Sequence, residues 1–98
     1  MYGEDMELCY RANELGYKVY FYPEINITHI EHGSANRSFA IINIYKNLLY
    51  FYKKHRSSSE YHLLKFLLQI KAIVLIIVGG LVNNKYLVDT YKKALSEI

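Results

Sequence analysis

Residues 3–11 have the sequence GEDMELCYR, in which two adjacent acids, Glu4 and Asp5, precede a helical pattern of apolar residues. Apolar residues then recur at the spacing of one helix face, at positions 8, 9, 12 and 15. Acidic side chains in a first turn interact favourably with the positive end of the helix dipole. Gly16 supplies the residue type that most often ends a helix in the left-handed conformation. The sequence predicts a helix over residues 4–15.

The next stretch has the composition of β-strands. Aromatic residues and a valine occupy residues 17–22, a run too short for a helix, and Pro23 ends it because proline cannot donate to a strand ladder. Isoleucine alternates with polar residues over residues 25–29, which places His29 on the same side as the isoleucines. Residues 30–37 contain glycine and serine and are typical of a loop. We therefore expect a short two-stranded element.

Helical periodicity returns in the second half of the chain. Residues 38–56 are predicted to form a helix whose apolar stripe contains positions 39, 42, 45 and 49. Basic residues at its end, over residues 53–56, suit the negative end of the helix dipole. After a break at Asn83 and Asn84, residues 87–98 have the pattern of a last, amphipathic helix.

Residues 60–82 are the most hydrophobic part of the chain, and Ser59 is the expected N-cap. The 20 residues over 63–82 are about long enough to cross a bilayer core of roughly 30 Å. However, Lys65 and Lys71 interrupt the first half, and a lysine at the bilayer centre costs about 2.5 to 3.5 kcal/mol on insertion scales. We expect a helix that lies in or dips into the membrane interface. A plain core helix is the alternative.

The composition restricts the classes of function. A chain of 98 residues forms one small domain at most, and its single cysteine excludes an internal disulfide. Twelve basic and nine acidic residues give a net charge of +3. The positive charges do not form a stripe with base-stacking aromatic residues, which argues against nucleic-acid binding. The basic residues 53–56 would instead meet an anionic membrane surface.

The first half of the chain resembles a known enzyme family. The match extends over residues 1–56 and rests on Glu4-Asp5, Glu7-Leu8-Cys9, Arg11, Gly16-Tyr17, Pro23, His29, Gly33 and Ser34. In order and spacing these residues resemble the C-terminal half of the catalytic domain of family 2 glycosyltransferases. More narrowly, they resemble the bacterial rhamnosyltransferase-like members, which build surface polysaccharides.

The resemblance implies a fold class. Residues 1–56 would be an α/β fragment, mostly helical as it stands, from the acceptor side of a GT-A-like (Rossmann-like) catalytic domain. Residues 57–98 would be a hydrophobic and amphipathic helical tail, associated with a membrane. The protein would lie in the cytoplasm, peripherally on the inner face of the cell membrane.

The resemblance also implies an activity and residue roles. Such enzymes transfer a sugar, with inversion, from a nucleotide-sugar donor to a hydroxyl of a glycan or lipid-linked acceptor. Asp5 corresponds to the general base, with Glu4 beside it, and His29 to a ligand of the divalent cation, Mn²⁺ or Mg²⁺. Ser34, Arg37 and Arg11 are candidates for substrate binding.

The chemistry of these side chains agrees with those roles. Displacement at an anomeric carbon needs a carboxylate in reach of the acceptor hydroxyl, to remove its proton as the new bond forms. A neighbouring like charge such as Glu4, together with partial burial, would raise the pKa of Asp5 and make it a better base. A cation bridging two phosphates neutralises charge on the leaving nucleotide, and carboxylate and imidazole ligands suit Mn²⁺ or Mg²⁺.

Each of these residues also has an ordinary structural explanation. Glu4 and Asp5 would be helix-start charges, and Arg11 would pair with Glu7, one turn earlier, or with another nearby acid. Cys9 would be a small buried apolar residue.

The later candidates have alternatives of the same kind. His29 on an apolar strand face would be a satisfied core or edge histidine, and His32 is a rival metal ligand. Ser34 and Arg37 would be solvated loop and helix-start residues.

One part of the enzyme family's pattern has no counterpart here. Family members bind the nucleotide on an N-terminal half that contains an Asp-x-Asp motif, whereas Asp5 and Asp89 are the two aspartates of this chain. We therefore expect a fragment that binds no metal tightly and is inactive alone, and that would work only with a separate N-terminal half. The alternative is a small helical membrane-surface or protein-interaction protein without catalysis.

Overall fold

The computed structural model describes residues 2–28 and 36–98, and within these ranges it contains four α-helices. They are α1 (Glu4–Glu14), α2 (Arg37–His55), α3 (Ser58–Leu81) and α4 (Lys85–Glu97). Each corresponds to a helix that the apolar periodicity predicts, and the ends differ by a residue or two. The prediction of where helices form is therefore confirmed.

The predicted α/β fold class is wrong, and so is the two-stranded element. The described residues contain no strand and no sheet, and no Rossmann-like α/β arrangement is present among them. Residues 17–22 and 25–28 are extended or irregular, with a turn at Pro23 and Glu24 between them. The physical reason is that a strand needs a partner, and a lone two-stranded hairpin is at best marginally stable in water.

Helix α1 ends as its sequence predicts. Gly16 adopts the left-handed conformation, with φ of 87°. Its backbone N–H donates to the carbonyl of Asn13 at 3.1 Å, and the N–H of Tyr17 donates to the carbonyl of Ala12 at 3.0 Å. These two bonds form a Schellman motif, which satisfies carbonyls at the end of the helix.

The N-cap of α3 differs from the prediction by two residues. Ser57, and not Ser59, is the cap, because its hydroxyl accepts from the N–H of Glu60 while the Glu60 carboxylate accepts from the N–H of Ser57 at 3.0 Å. This reciprocal arrangement is a capping box. Ser57 has the acidic residue three positions later that the box requires, whereas Ser59 is followed at that spacing by His62.

The core lies where α2 packs against the hairpin formed by α3 and α4. Its buried residues are Tyr45 and Leu49 from α2, Leu68 and Ala72 from α3, and Tyr91 and Ala94 from α4. Two side-chain hydrogen bonds also join α2 to α4: the hydroxyls of Ser38 and Thr90 are 2.6 Å apart, and Lys46 Nζ donates to the Glu97 carboxylate at 2.8 Å.

The α3–α4 hairpin depends on a close approach at Gly79. A Cβ added there would lie 2.9 Å from Cγ2 of Val88 and 3.2 Å from Cδ2 of Leu87. At Gly80, the next residue, an added Cβ would meet no atom within 4 Å. Gly79 therefore lets the two helices come together beside their connection at Asn83 and Asn84.

Candidate functional site

Helix α1 is attached to the C-terminal half of α2 through Glu7. The Glu7 carboxylate accepts from Lys54 Nζ at 2.6 Å and lies 2.7 Å from Nε2 of His55. Arg11 Nε lies 3.4 Å from the same carboxylate. Glu7 therefore joins one residue of its own helix to two residues of the neighbouring helix.

Aromatic side chains also connect α1 to α2. The ring of Tyr10 meets Phe51 edge-on at a centroid distance of 5.1 Å and lies 4.3 Å from the ring of His55. Phe51 and His55, one turn apart on α2, have ring centroids 5.0 Å apart. Phe51 is buried, so the Tyr10 side of α1 contributes apolar packing as well as charge pairing.

The start of α1 is held by a hydrogen bond with Asn47. The Asn47 side-chain amide donates to the backbone carbonyl of Tyr2 at 2.6 Å. Gly3, the N-cap, has φ of 104°, and an added Cβ would lie 3.5 Å from Cβ of Asn47. Because the left-handed region strongly favours glycine, Gly3 lets the chain turn into α1 at the residue before Glu4.

The two predicted catalytic acids project from this first turn. The side chains of Glu4 and Asp5 are exposed, and Oδ1 of Asp5 accepts from the backbone N–H of Met6 at 2.9 Å. The partial burial that the sequence interpretation invoked for Asp5 is therefore not present. The acids lie at the positive end of a helix dipole, where the carboxylate charge is stabilised.

The remaining predicted site residues are distributed differently. Arg11 makes the ion pair with Glu7 that its spacing predicts. Arg37 is exposed at the first position of α2 and lies about 15 Å along that helix from Asn47, at 1.5 Å per residue. His29 and Ser34 lie outside the described residues.

The face of α1 that contacts α2 is not the apolar stripe seen in the sequence. Leu8 and Leu15 are 62% and 77% exposed, and Cys9 is exposed, so the prediction that Cys9 is buried is wrong. The contacting face is formed by Glu7 and Tyr10. Sequence reasoning did not assign Glu7 or Tyr10 a contact with α2, and it missed Phe51 and His55 opposite, because no local signal states which two helices meet.

The charge of Glu7 responds to this environment. The hydrogen bond from Lys54 is the largest influence and lowers the pKa of Glu7 below its ordinary value of 4.5. Desolvation opposes this, and the hydrogen bond with His55 lowers the pKa further. Glu7 is therefore held as an anion across the neutral range.

The described residues do not by themselves form the divalent-metal site that the sequence resemblance implies. Within residues 2–28 and 36–98, no three His, Cys, Asp or Glu side chains are grouped so that they could hold a metal ion. His29, the predicted ligand, lies outside these ranges.

Comparisons with known proteins identify no relative. No family model matches this chain, and neither a curated protein nor a solved structure matches it.

Proposed function

We propose that residues 1–56 act as the acceptor-side part of an inverting family 2 glycosyltransferase, with Asp5 as the general base. The observation that carries the proposal is the placement of Asp5. It is exposed on the first turn of a helix that contacts α2 through Tyr2, Glu7 and Tyr10. An acceptor can reach its carboxylate without any rearrangement of the helix.

The proposed step is a single displacement. The acceptor hydroxyl oxygen forms a bond to the anomeric carbon of the donor, the bond from that carbon to the nucleotide diphosphate breaks, and the hydroxyl proton passes to the Asp5 carboxylate. A positioned base of this kind contributes about 10² to 10⁴ in rate. Glu4 lies beside Asp5 on the same turn and is also exposed.

The donor would be bound by another part of the enzyme, either a separate chain or a further domain. Two exposed apolar surfaces support this. One is the stripe of α1 that contains Leu8 and Leu15. The other is the irregular segment 17–28, in which Tyr20, Phe21 and Ile27 are 80%, 90% and 88% exposed. A donor-binding half that packs on this segment would cover these side chains.

The experiment begins with the DNA upstream of Met1, read in all frames for a half that contains an Asp-x-Asp motif. That half is then joined to this chain or expressed with it. Transfer is measured from a panel of nucleotide sugars to surface-polysaccharide acceptors. Transfer by the combined protein, and by neither half alone, is the expected result. If no such half gives transfer when it is combined with this chain, the proposal is contradicted.

Asp5 is tested in the active combination. Asp5→Asn should lower the transfer rate by about 10² to 10⁴ and leave nucleotide binding intact. Asp89→Asn, at the other aspartate, is the matched control because Asp89 is exposed on α4. The rival class, a small helical membrane-surface or protein-interaction protein without catalysis, predicts no transfer by any combination. The exposed apolar side of α3 favours that rival. It is also compatible with a membrane-associated enzyme in the cytoplasm.

A further inference from the structure

The outward face of α3 is a continuous apolar surface. Six of its side chains, spaced along the helix at three- and four-residue steps, are between 43% and 83% exposed: Leu63, Phe66, Ile70, Ile73, Ile77 and Leu81. These positions lie on one side of a helix with 3.6 residues per turn, so they form a single stripe from one end of α3 to the other. A continuous apolar stripe of this length that is exposed to solvent indicates an interaction site.

Charged and polar residues border this stripe and do not interrupt it. In helical projection, Gln69 lies on one side of the stripe and Lys71 on the other, while Lys65 lies further toward the core and is half-buried. Lys71 is exposed, and its Nζ lies 5.7 Å from the centre of the Tyr45 ring on α2. Glu60, in the first turn, is the one acid of α3. Positive charge therefore flanks the face only as far as Lys71, because residues 72–81 contain no charged side chain. Long lysine side chains can extend toward headgroups.

The opposite side of α3 is occupied by the protein's own core. Leu68, Ala72 and Gly79 are buried there, against α4 and α2. The outer side of α4 is polar, with exposed Lys92, Lys93 and other charged residues. Helix α3 is long and apolar enough to cross a membrane. Crossing with α4 still attached, however, would place these charges in hydrocarbon, which is costly.

We propose that the outward face of α3 binds an anionic lipid membrane, with the helix parallel to the surface and α4 on the water side. About 36 Å of helix, at 1.5 Å for each of its 24 residues, would lie at the boundary between headgroups and acyl chains. Lys65 and Lys71 would contact anionic headgroups on either side. This inference is independent of the proposed catalytic role of residues 1–56.

Charge favours lipid over a second copy of the chain as the occupant. Two copies meeting through this face would leave Lys65 and Lys71 without an opposite charge, because Glu60 is the one acid of α3. Anionic headgroups would supply the opposite charge at both lysines.

The binding test uses the intact 98-residue chain and flotation with vesicles. One set is phosphatidylcholine alone and the other contains phosphatidylglycerol as well. We expect the protein to float with the anionic vesicles, to float much less with the neutral ones, and to be released partly by salt. Protein that stays at the bottom of the gradient with both sets would overturn the proposal.

Substitutions test whether membrane binding requires this face or only some exposed apolar surface. Ile70→Glu with Ile77→Glu should lower partitioning into anionic vesicles at least about tenfold, because both charges would enter the apolar boundary region. Leu8→Glu is the matched control, since Leu8 is an exposed leucine on α1, and it should partition like wild type. Circular dichroism verifies that both variants keep their helices. Unchanged flotation of the folded double variant would overturn the proposal.

Orientation is measurable because the natural sequence contains no tryptophan. Phe66→Trp should shift to shorter emission wavelength with anionic vesicles and be quenched by lipids labelled near the headgroup. Ser96→Trp, on the exposed side of α4, should show neither effect. Quenching of both variants by lipids labelled at the bilayer centre would overturn the parallel arrangement. A concentration-dependent dimer in lipid-free sedimentation that Ile70→Glu abolishes would assign the face to a second copy.

Discussion

The Glu7 carboxylate on α1 lies 2.7 Å from Nε2 of His55 on α2, although 48 residues separate the two in sequence. This contact and the shorter one from Lys54 join α1 to α2, together with the packing of Tyr10 on Phe51. Asp5 is two residues before Glu7 on the same helix. The position of the proposed base therefore depends on a charge contact that takes no part in the chemistry.

Removal of the Glu7 charge should release α1 without unfolding the core. In Glu7→Gln, we expect amide hydrogen exchange to become faster in α1 and to stay unchanged in α3 and α4, because the core cluster contains no residue of α1. Glu14→Gln is the control, since Glu14 is an exposed acid on the same helix. Equal exchange in the two variants would show that Glu7 does not hold α1.

Acid should have the same effect on the wild-type protein. The folded-state pKa of Glu7 lies below its ordinary value of 4.5, so its contribution to stability is fully present above pH 4.5. That contribution is lost as the pH falls through the lower, folded-state pKa. We expect the NMR signals of the Tyr10 ring, which packs on His55, to move toward free-tyrosine values in that acid range. Glu7→Gln should show no such step, and an identical step in that variant would contradict the assignment.

Two neighbouring glycines should respond oppositely to alanine. Gly79→Ala should lower the free energy of unfolding by about 1 kcal/mol, because overpacking against Val88 and Leu87 outweighs the gain in helix propensity. Gly80→Ala, where the added methyl group meets no neighbour, should raise it by up to about 1 kcal/mol. Urea denaturation measures both. A stabilised Gly79→Ala variant would show that α3 and α4 do not approach closely there.

The buried hydroxyl of Tyr45 should make the core sensitive to alkali. Within the described part of the chain, this hydroxyl has no hydrogen-bond partner, and burial, with a smaller effect of Tyr91, raises the pKa of Tyr45 to about 12. Its ordinary pKa is 10.0, so stability is unaffected below pH 10 and falls as the pH rises toward 12.

Tyr45→Phe tests this account of the core. It removes an unpaired buried hydroxyl, so it should raise the free energy of unfolding at neutral pH by about 1 kcal/mol. The loss of stability at alkaline pH that we expect for wild type should also be smaller in this variant, as measured by circular dichroism. A variant less stable than wild type would indicate that the hydroxyl has a favourable contact.

The helices were predictable from sequence because their signals are local. Apolar spacing gave the helix positions, and Gly16 marked the end of α1. The strands of residues 17–28 were predicted wrongly because strand formation depends on pairing with distant residues, and alternation alone supplies no partner. The site was predictable only in its local part: the sequence placed Glu4 and Asp5 on a first turn. It did not indicate that Glu7 and His55 would fix that turn in space.

The general-base role of Asp5 is tested most directly by the rate of sugar transfer in the active combination of this chain with its donor-binding half. The account predicts that Asp5→Asn lowers the rate by about 10² to 10⁴ while nucleotide binding persists. Asp89→Asn should transfer at the wild-type rate. Transfer by Asp5→Asn at a rate close to that of Asp89→Asn would contradict the account.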